Sequence, residues 1–137
     1  MSLVQRLLET ALYCDDLPRA LGFYRDLLGL APMFADDRLV AIDAGRGTVL
    51  LLFRRGASVS GVPMADGRIP AHDGGGPVHV AFAVEAAGLA ALEARLAARG
   101  VAIESRIRWS AGGESLYCRD PDGHSVEFAT PGLWPSY

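Results

Sequence analysis

The sequence predicts an α+β fold in which one strand–helix–strands unit occurs twice. Three observations carry the prediction. An apolar run at 7–14 passes through an acidic break into an amphipathic helix, and the same order of elements returns from 78 onward. Each helix is followed by short apolar runs set between glycine-containing turns. Between the halves, 54–77 is rich in Gly, Pro and Asp and has no periodicity that buries a face.

Residues 7–14 form the first strand, because a short apolar run with Tyr13 near its end breaks at Asp15-Asp16. Asp16 is a natural N-cap and Pro18 suits a first turn; Leu17, Ala20, Leu21, Tyr24, Leu27 and Leu28 then recur at helical spacing until Gly29 stops the helix. Runs at 38–43 and 48–53, joined by Ala44-Gly45-Arg46-Gly47, are two strands, with room before them for a further short one. The stretch 54–77 is a lid, a linker or both. Residues 78–84 alternate as a strand, and Leu89, Leu92 and Leu96 mark a second helix that Gly100 ends. A short strand at 101–104, a loop from Arg106 to Gly113, a strand at 115–118 and a turn at 119–124 lead to the last strand, Ser125 to Ala129, so the second half also reads β-α-β-β-β. The chain is therefore one domain over 1–137, with module one at about 7–53 and module two at about 78–130.

Composition excludes several functions. All 13 basic side chains are Arg, scattered and outnumbered by 16 acids for a net charge of -3, so no basic stripe for nucleic acid exists. Lysine is absent, which removes Schiff-base and P-loop chemistry. Cys14 and Cys118 sit in apolar stretches rather than in a CxxC pair, and no signal-peptide-like or membrane-length apolar run is seen. A reducing, cytoplasmic location with no membrane association is the expectation, and two buried free thiols fit it better than a disulfide.

One residue asks for a partner. Glu127 stands in the middle of the apolar strand 125–129, where a carboxylate is costly to bury alone. Laying the first strand of one half over that of the other places Glu9 on His79. In both strands the bulky residues alternate onto the opposite face, which suits packing on a helix and leaves Glu9 and His79 facing a shared concavity; alternation sends Glu127 to the same side. Taken singly, each is better explained as a solvated carboxylate or an ordinary strand histidine, by roughly two to one. Three together at repeat-related positions point to a divalent metal held by one imidazole and two carboxylates. Arg108, Trp109, Tyr117 and His72 are candidates for substrate contact, for which surface packing is an equal explanation; Glu114 is a weaker ligand candidate, and His124 belongs to a turn.

The strand–helix unit from Glu9 through Phe23-Tyr24-Arg25-Asp26-Leu27-Leu28-Gly29-Leu30, the strand Val78-His79-Val80-Ala81-Phe82, and the segment from Tyr117 through Asp120-Pro121-Asp122-Gly123-His124 to Phe128 resemble the vicinal oxygen chelate superfamily. That group includes glyoxalase I, the bleomycin- and fosfomycin-resistance proteins, extradiol dioxygenases and methylmalonyl-CoA epimerase. The resemblance covers nearly the whole chain. It implies two βαβββ modules whose mixed sheets form a U-shaped cup with helices outside, commonly completed by homodimerisation, and it places metal ligands at Glu9, His79 and Glu127. Two departures matter. Glyoxalase I has a fourth ligand, a Glu on the last strand of its first module, where this chain has Leu50, Leu51 and Leu52. The dioxygenases and fosfomycin enzymes use two His and one Glu, so Glu9 makes this set harder and favours Mn, Mg, Zn or Ni over O2-activating iron.

The expected function is a metal-dependent lyase or isomerase in which the ion chelates adjacent oxygens of a small-molecule substrate. Glu127 is the expected ligand and Glu9 either ligand or base. The rival is a metal-free binding protein of the bleomycin-resistance type; a third reading is lactoylglutathione lyase proper.

Overall fold

The computed structural model describes residues Met1–Tyr137 and divides into two compact units, Met1–Gly75 and Gly76–Tyr137. The first contains β1 (Glu9–Cys14), α1 (Leu17–Leu21), β2 (Ala31–Ala35), β3 (Leu39–Asp43) and β4 (Val49–Arg54), followed by a small hairpin of β5 (Val62–Met64) and β6 (Gly67–Ile69). Its main sheet has the order β1-β4-β3-β2, with β1 parallel to β4 and the other neighbours antiparallel. The second contains β7 (His79–Ala83), α2 (Leu89–Ala98), β8 (Ser105–Arg108), β9 (Glu114–Arg119) and β10 (Ser125–Ala129). Its sheet order β7-β10-β9-β8, with β7 parallel to β10, repeats the first unit strand for strand. The duplicated β-α-β-β-β order legible in the sequence is thus the architecture.

Alternation decides each face. In the first unit Leu12, Val40, Ile42, Leu50 and Leu52 are buried together on one side, with Leu12 opposite Leu52 and Ile42 opposite Leu50. The side chain of Asp16 accepts from the Arg19 N–H at 2.8 Å and caps α1, with Pro18 in its first turn. The predicted single α-helix differs in its second half: Gly22–Leu27 winds as a wider π-helix, and the Leu28 N–H reaches back five residues to the Phe23 carbonyl at 3.0 Å. The wider turn buries the adjacent Phe23 and Tyr24 together, edge to face with ring centroids 5.0 Å apart, while Leu21 and Leu28 are only half-buried.

Three local expectations are corrected. The stretch 54–77 is not featureless: it carries the β5–β6 hairpin, and residues up to Gly75 fold onto the first unit. Here the Gly56 N–H donates to Asp73 at 3.0 Å, the His72 N–H to the Ser58 carbonyl at 3.1 Å, and Arg55 to the Gly74 carbonyl at 3.2 Å. Local polar contacts order the segment, so apolar periodicity could not reveal it. Residues 101–104 are not a strand, because they return the chain from the helix end, where the Val101 N–H bonds the Leu96 carbonyl at 2.9 Å. Pairing starts at Ser105, so Arg106 and Arg108 lie in β8 and not in a loop. No helix is long and apolar enough to cross a membrane.

Candidate functional site

In the second unit the alternation of β7, β10 and β9 puts His79, Ala81 and Ala83, Ser125, Glu127 and Ala129, and Ser115, Tyr117 and Arg119 on one face. Val80, Phe82, Val126, Phe128, Leu116 and Cys118 take the other, where Arg106 pairs with Glu93 of α2. On this face the neighbours of Glu127 are the small Ala81, Ser125 and Ala129, with Tyr117 directly opposite it on β9.

Glu127 is buried, with 6% of its side chain exposed, while His79 beside it is 52% exposed. The Ser115 hydroxyl donates to Glu127 Oε1 at 2.6 Å, and Trp109 Nε1–H donates to that hydroxyl at 2.8 Å. An indole nitrogen only donates, so the serine oxygen accepts from Trp109 and spends its one proton on the carboxylate. Tyr117 stacks on His79 with centroids 6.2 Å apart. Burial first, then its hydrogen bond to Glu127 and the nearby negative charge, hold the Tyr117 phenol above its ordinary range against a smaller opposing effect of Ser115. Tyr117 therefore stays a protonated donor at neutral pH.

On the other oxygen, His79 Nε2 lies 3.2 Å from Glu127 Oε2, while Nδ1 lies 3.0 Å from the Ser125 carbonyl oxygen. A carbonyl only accepts, so Nδ1 carries the ring proton. In the neutral ring, Nε2 then turns a lone pair toward a carboxylate lone pair, an arrangement satisfied only when a cation stands between them. A proton or a metal ion meets that need. A histidine that ligates through Nε2 with Nδ1–H anchored on a carbonyl is the usual way a protein orients a metal-binding imidazole. The two donors therefore fit a divalent cation; neither unit by itself gathers three or more His, Cys, Asp or Glu side chains into such a group.

The remaining sequence candidates fall elsewhere. Glu9 opens β1 in the first unit and is exposed, on the face shared by Ala11, Tyr13, Val49, Leu51 and Phe53. That face of β4 supplies no further ligand. His72 belongs to the far end of β1: its Nδ1 is 2.6 Å from the Tyr13 hydroxyl, and its ring meets Phe53 edge to face at 4.5 Å. Four residues of strand, about 13 Å, separate Tyr13 from Glu9. Arg108 alternates onto the α2 side, away from Glu127; its side chain is 90% exposed and pairs with Glu114 at 3.1 Å. Trp109 does reach the site, through Ser115. His124 is buried in the turn before β10, where its Nδ1 accepts the Val78 N–H at 3.1 Å, so it aligns β7 with β10 and thereby His79 with Glu127. Sequence reasoning missed Ser115, although a small hydroxyl one alternation from Tyr117 on a buried strand was a usable signal. A separate cavity of about 600 Å³ in the first unit is lined by Asp15, Asp16, Asp36 and Arg54 among others. Its acids serve local structure: Asp15 pairs with Arg55, Asp16 caps α1, and Asp36 accepts the Arg38 and Leu39 N–H groups.

A model of the glyoxalase/bleomycin resistance protein/dioxygenase superfamily matches residues 6–128. Among solved structures, the lactoylglutathione lyase from Agrobacterium tumefaciens is 35% identical and superposes with a TM-score of 0.87, over 98% of this chain and 99% of that one. A fosfomycin resistance protein from Listeria monocytogenes (18% identity, TM-score 0.69, 96% and 97% covered) and a glyoxalase/dioxygenase from Nostoc punctiforme (20%, 0.68, 92% and 90%) share the fold. No curated protein matches the sequence significantly.

Proposed function

The chain belongs to the glyoxalase/bleomycin resistance protein/dioxygenase superfamily, and from that membership we propose that it is a metal-dependent lyase or isomerase acting on a small molecule with two adjacent oxygens. The observation that carries the reading is the pair of facing acceptors, His79 Nε2 and Glu127 Oε2, 3.2 Å apart. His79 and Glu127 would hold the ion, with Glu9 of the repeat-related strand as third ligand or as the base. When bound, a divalent ion supplies positive charge to the substrate oxygens and stabilises the enolate or oxyanion that develops. The protein does the rest. The sheet fixes His79 and Glu127, Tyr117 keeps a proton to donate, and a carboxylate, Glu9 or Glu127, moves the substrate proton. Mn, Ni, Zn or Mg suits one imidazole and two carboxylates. A homodimer, in the cytoplasm, completes the reading.

Metal titration tests it. Purified protein supplemented with Ni2+ should hold about one ion per chain, and His79→Ala or Glu127→Gln should weaken binding by more than about 100-fold. Absence of binding by the wild type would sink the enzyme reading and favour the metal-free sequestering protein. A second reading, lactoylglutathione lyase proper, is favoured by the 35% identity to the Agrobacterium protein. Against it stand Val49, Leu51 and Phe53 on the Glu9 face of β4, where glyoxalase I has its fourth ligand. Following isomerisation of the methylglyoxal–glutathione adduct decides between them.

A further inference from the structure

Glu127 has two carboxylate oxygens, and the structure treats them differently. Oε1 receives the Ser115 hydroxyl proton at 2.6 Å, in a site where Ser115 is 1% and Glu127 4% exposed. The serine oxygen is held in place by Trp109 Nε1–H at 2.8 Å, and the Tyr117 phenol is a further hydrogen-bond partner of both Ser115 and Glu127. Oε2 lies 3.2 Å from His79 Nε2. Backbone pairing fixes the spacing: Glu127 is opposite Tyr117, and Ser115 lies one alternation further along β9.

We infer that Ser115, oriented by Trp109, is a positioning residue that favours one-oxygen ligation by Glu127 and so biases the site against calcium and toward smaller divalent ions. The inference rests on the proposed metal reading and deepens it. Calcium takes six to eight oxygens and commonly both oxygens of a glutamate, whereas nickel and zinc are satisfied by single donor atoms from imidazole and carboxylate. With one lone pair of Oε1 given to a hydroxyl, the two-oxygen mode must draw on an oxygen whose electron density is already shared with a short charge-assisted bond, which makes Oε1 a poorer metal donor than Oε2. Ser115 and Trp109 thus act on the ion through Glu127 and need not touch it or the substrate.

The test compares calorimetric titrations of the full chain with Ni2+ and with Ca2+, for wild type, Ser115→Ala and Trp109→Phe. The serine variant is expected to lose about 10- to 100-fold in Ni2+ affinity while the Ni2+ to Ca2+ preference narrows, and the tryptophan variant to shift the same way by less. Trp109→Phe keeps an aromatic side chain and removes the N–H donor, so it reports on the hydrogen bond even if Ser115→Ala proves poorly folded. A spectroscopic readout is available as well. With the exposed Trp134 replaced by Phe, Trp109 is the sole tryptophan, and its emission should change as Ni2+ fills the site, at about 10- to 100-fold higher Ni2+ when Ser115→Ala is added. Unchanged Ni2+ affinity in both variants, or equal losses for both ions, overturns the inference and leaves the metal reading intact. A wild type that binds no Ni2+ overturns both.

Discussion

His79 and Ser115 illustrate how a single proton's placement defines a site. Each has one proton to place: His79 Nδ1–H donates to the Ser125 carbonyl, and Ser115, accepting from the Trp109 N–H, donates its own to Glu127. The result is a carboxylate with one oxygen tied down and the other aimed at an imidazole lone pair. Cys118 shows a different residue-scale effect. Burial first, then the charges of Asp120 and Glu104, push its thiol up to about 11 from 9.0. The stability this contributes is fully present below pH 9, where the thiol is neutral in both states, and is lost as pH rises toward the folded value, because only the unfolded chain ionises. Melting curves should therefore show up to about 2 kcal/mol lost across that window from this group, and Cys118→Ala should flatten that part of the profile. Native protein at pH 8 should resist alkylation at Cys118 until it is unfolded.

At the scale of elements, the β9–β10 turn sets the register on which the site depends. Asp120 Oδ1 accepts the N–H groups of Asp122 and His124, each at 2.9 Å, and Gly123 takes φ 83°. The turn thereby delivers His124 to the Val78 N–H, and the Ser125 N–H to the Val78 carbonyl at 2.8 Å. Asp120→Ala should cost about 1–3 kcal/mol by orphaning two donors, and Gly123→Ala about 1 kcal/mol through left-handed backbone strain. Both should weaken Ni2+ binding as well, since His79 follows Val78 directly; denaturant unfolding and calorimetry on the same samples check the two effects. The strand pattern was plain in the sequence, because bulky apolar side chains alternate with small or polar ones along β7, β9 and β10. The start of β8 was not, because Ser105, Arg106 and Arg108 are exposed and are placed by pairing with β9 alone.

For the whole molecule, the repeat is the organising fact, since each unit sets its parallel first and last strands side by side and leaves an edge at its second. In the first unit that edge is β2, exposed along all five residues, with Met33 57% and Phe34 55% exposed. Such an edge is a template for pairing. The proposed homodimer should run near 29 kDa in light scattering, twice the chain mass of 14.5 kDa, and Phe34→Glu at β2 should shift it toward monomer if this edge contributes. A monomeric wild type would remove the dimer from the reading.

The sequence by itself determined the duplicated architecture and the identity of the polar residues on the strands that matter, because strand alternation and helix caps are local properties encoded in neighbouring residues. Glu127 and His79 could be named from it for that reason. Only the tertiary structure decided that Glu127 and His79 touch, that Arg108 points away, and that Ser115 and Trp109 hold the carboxylate. Those outcomes depend on register between strands distant in the chain, and a shift of one residue would send each side chain to the opposite face.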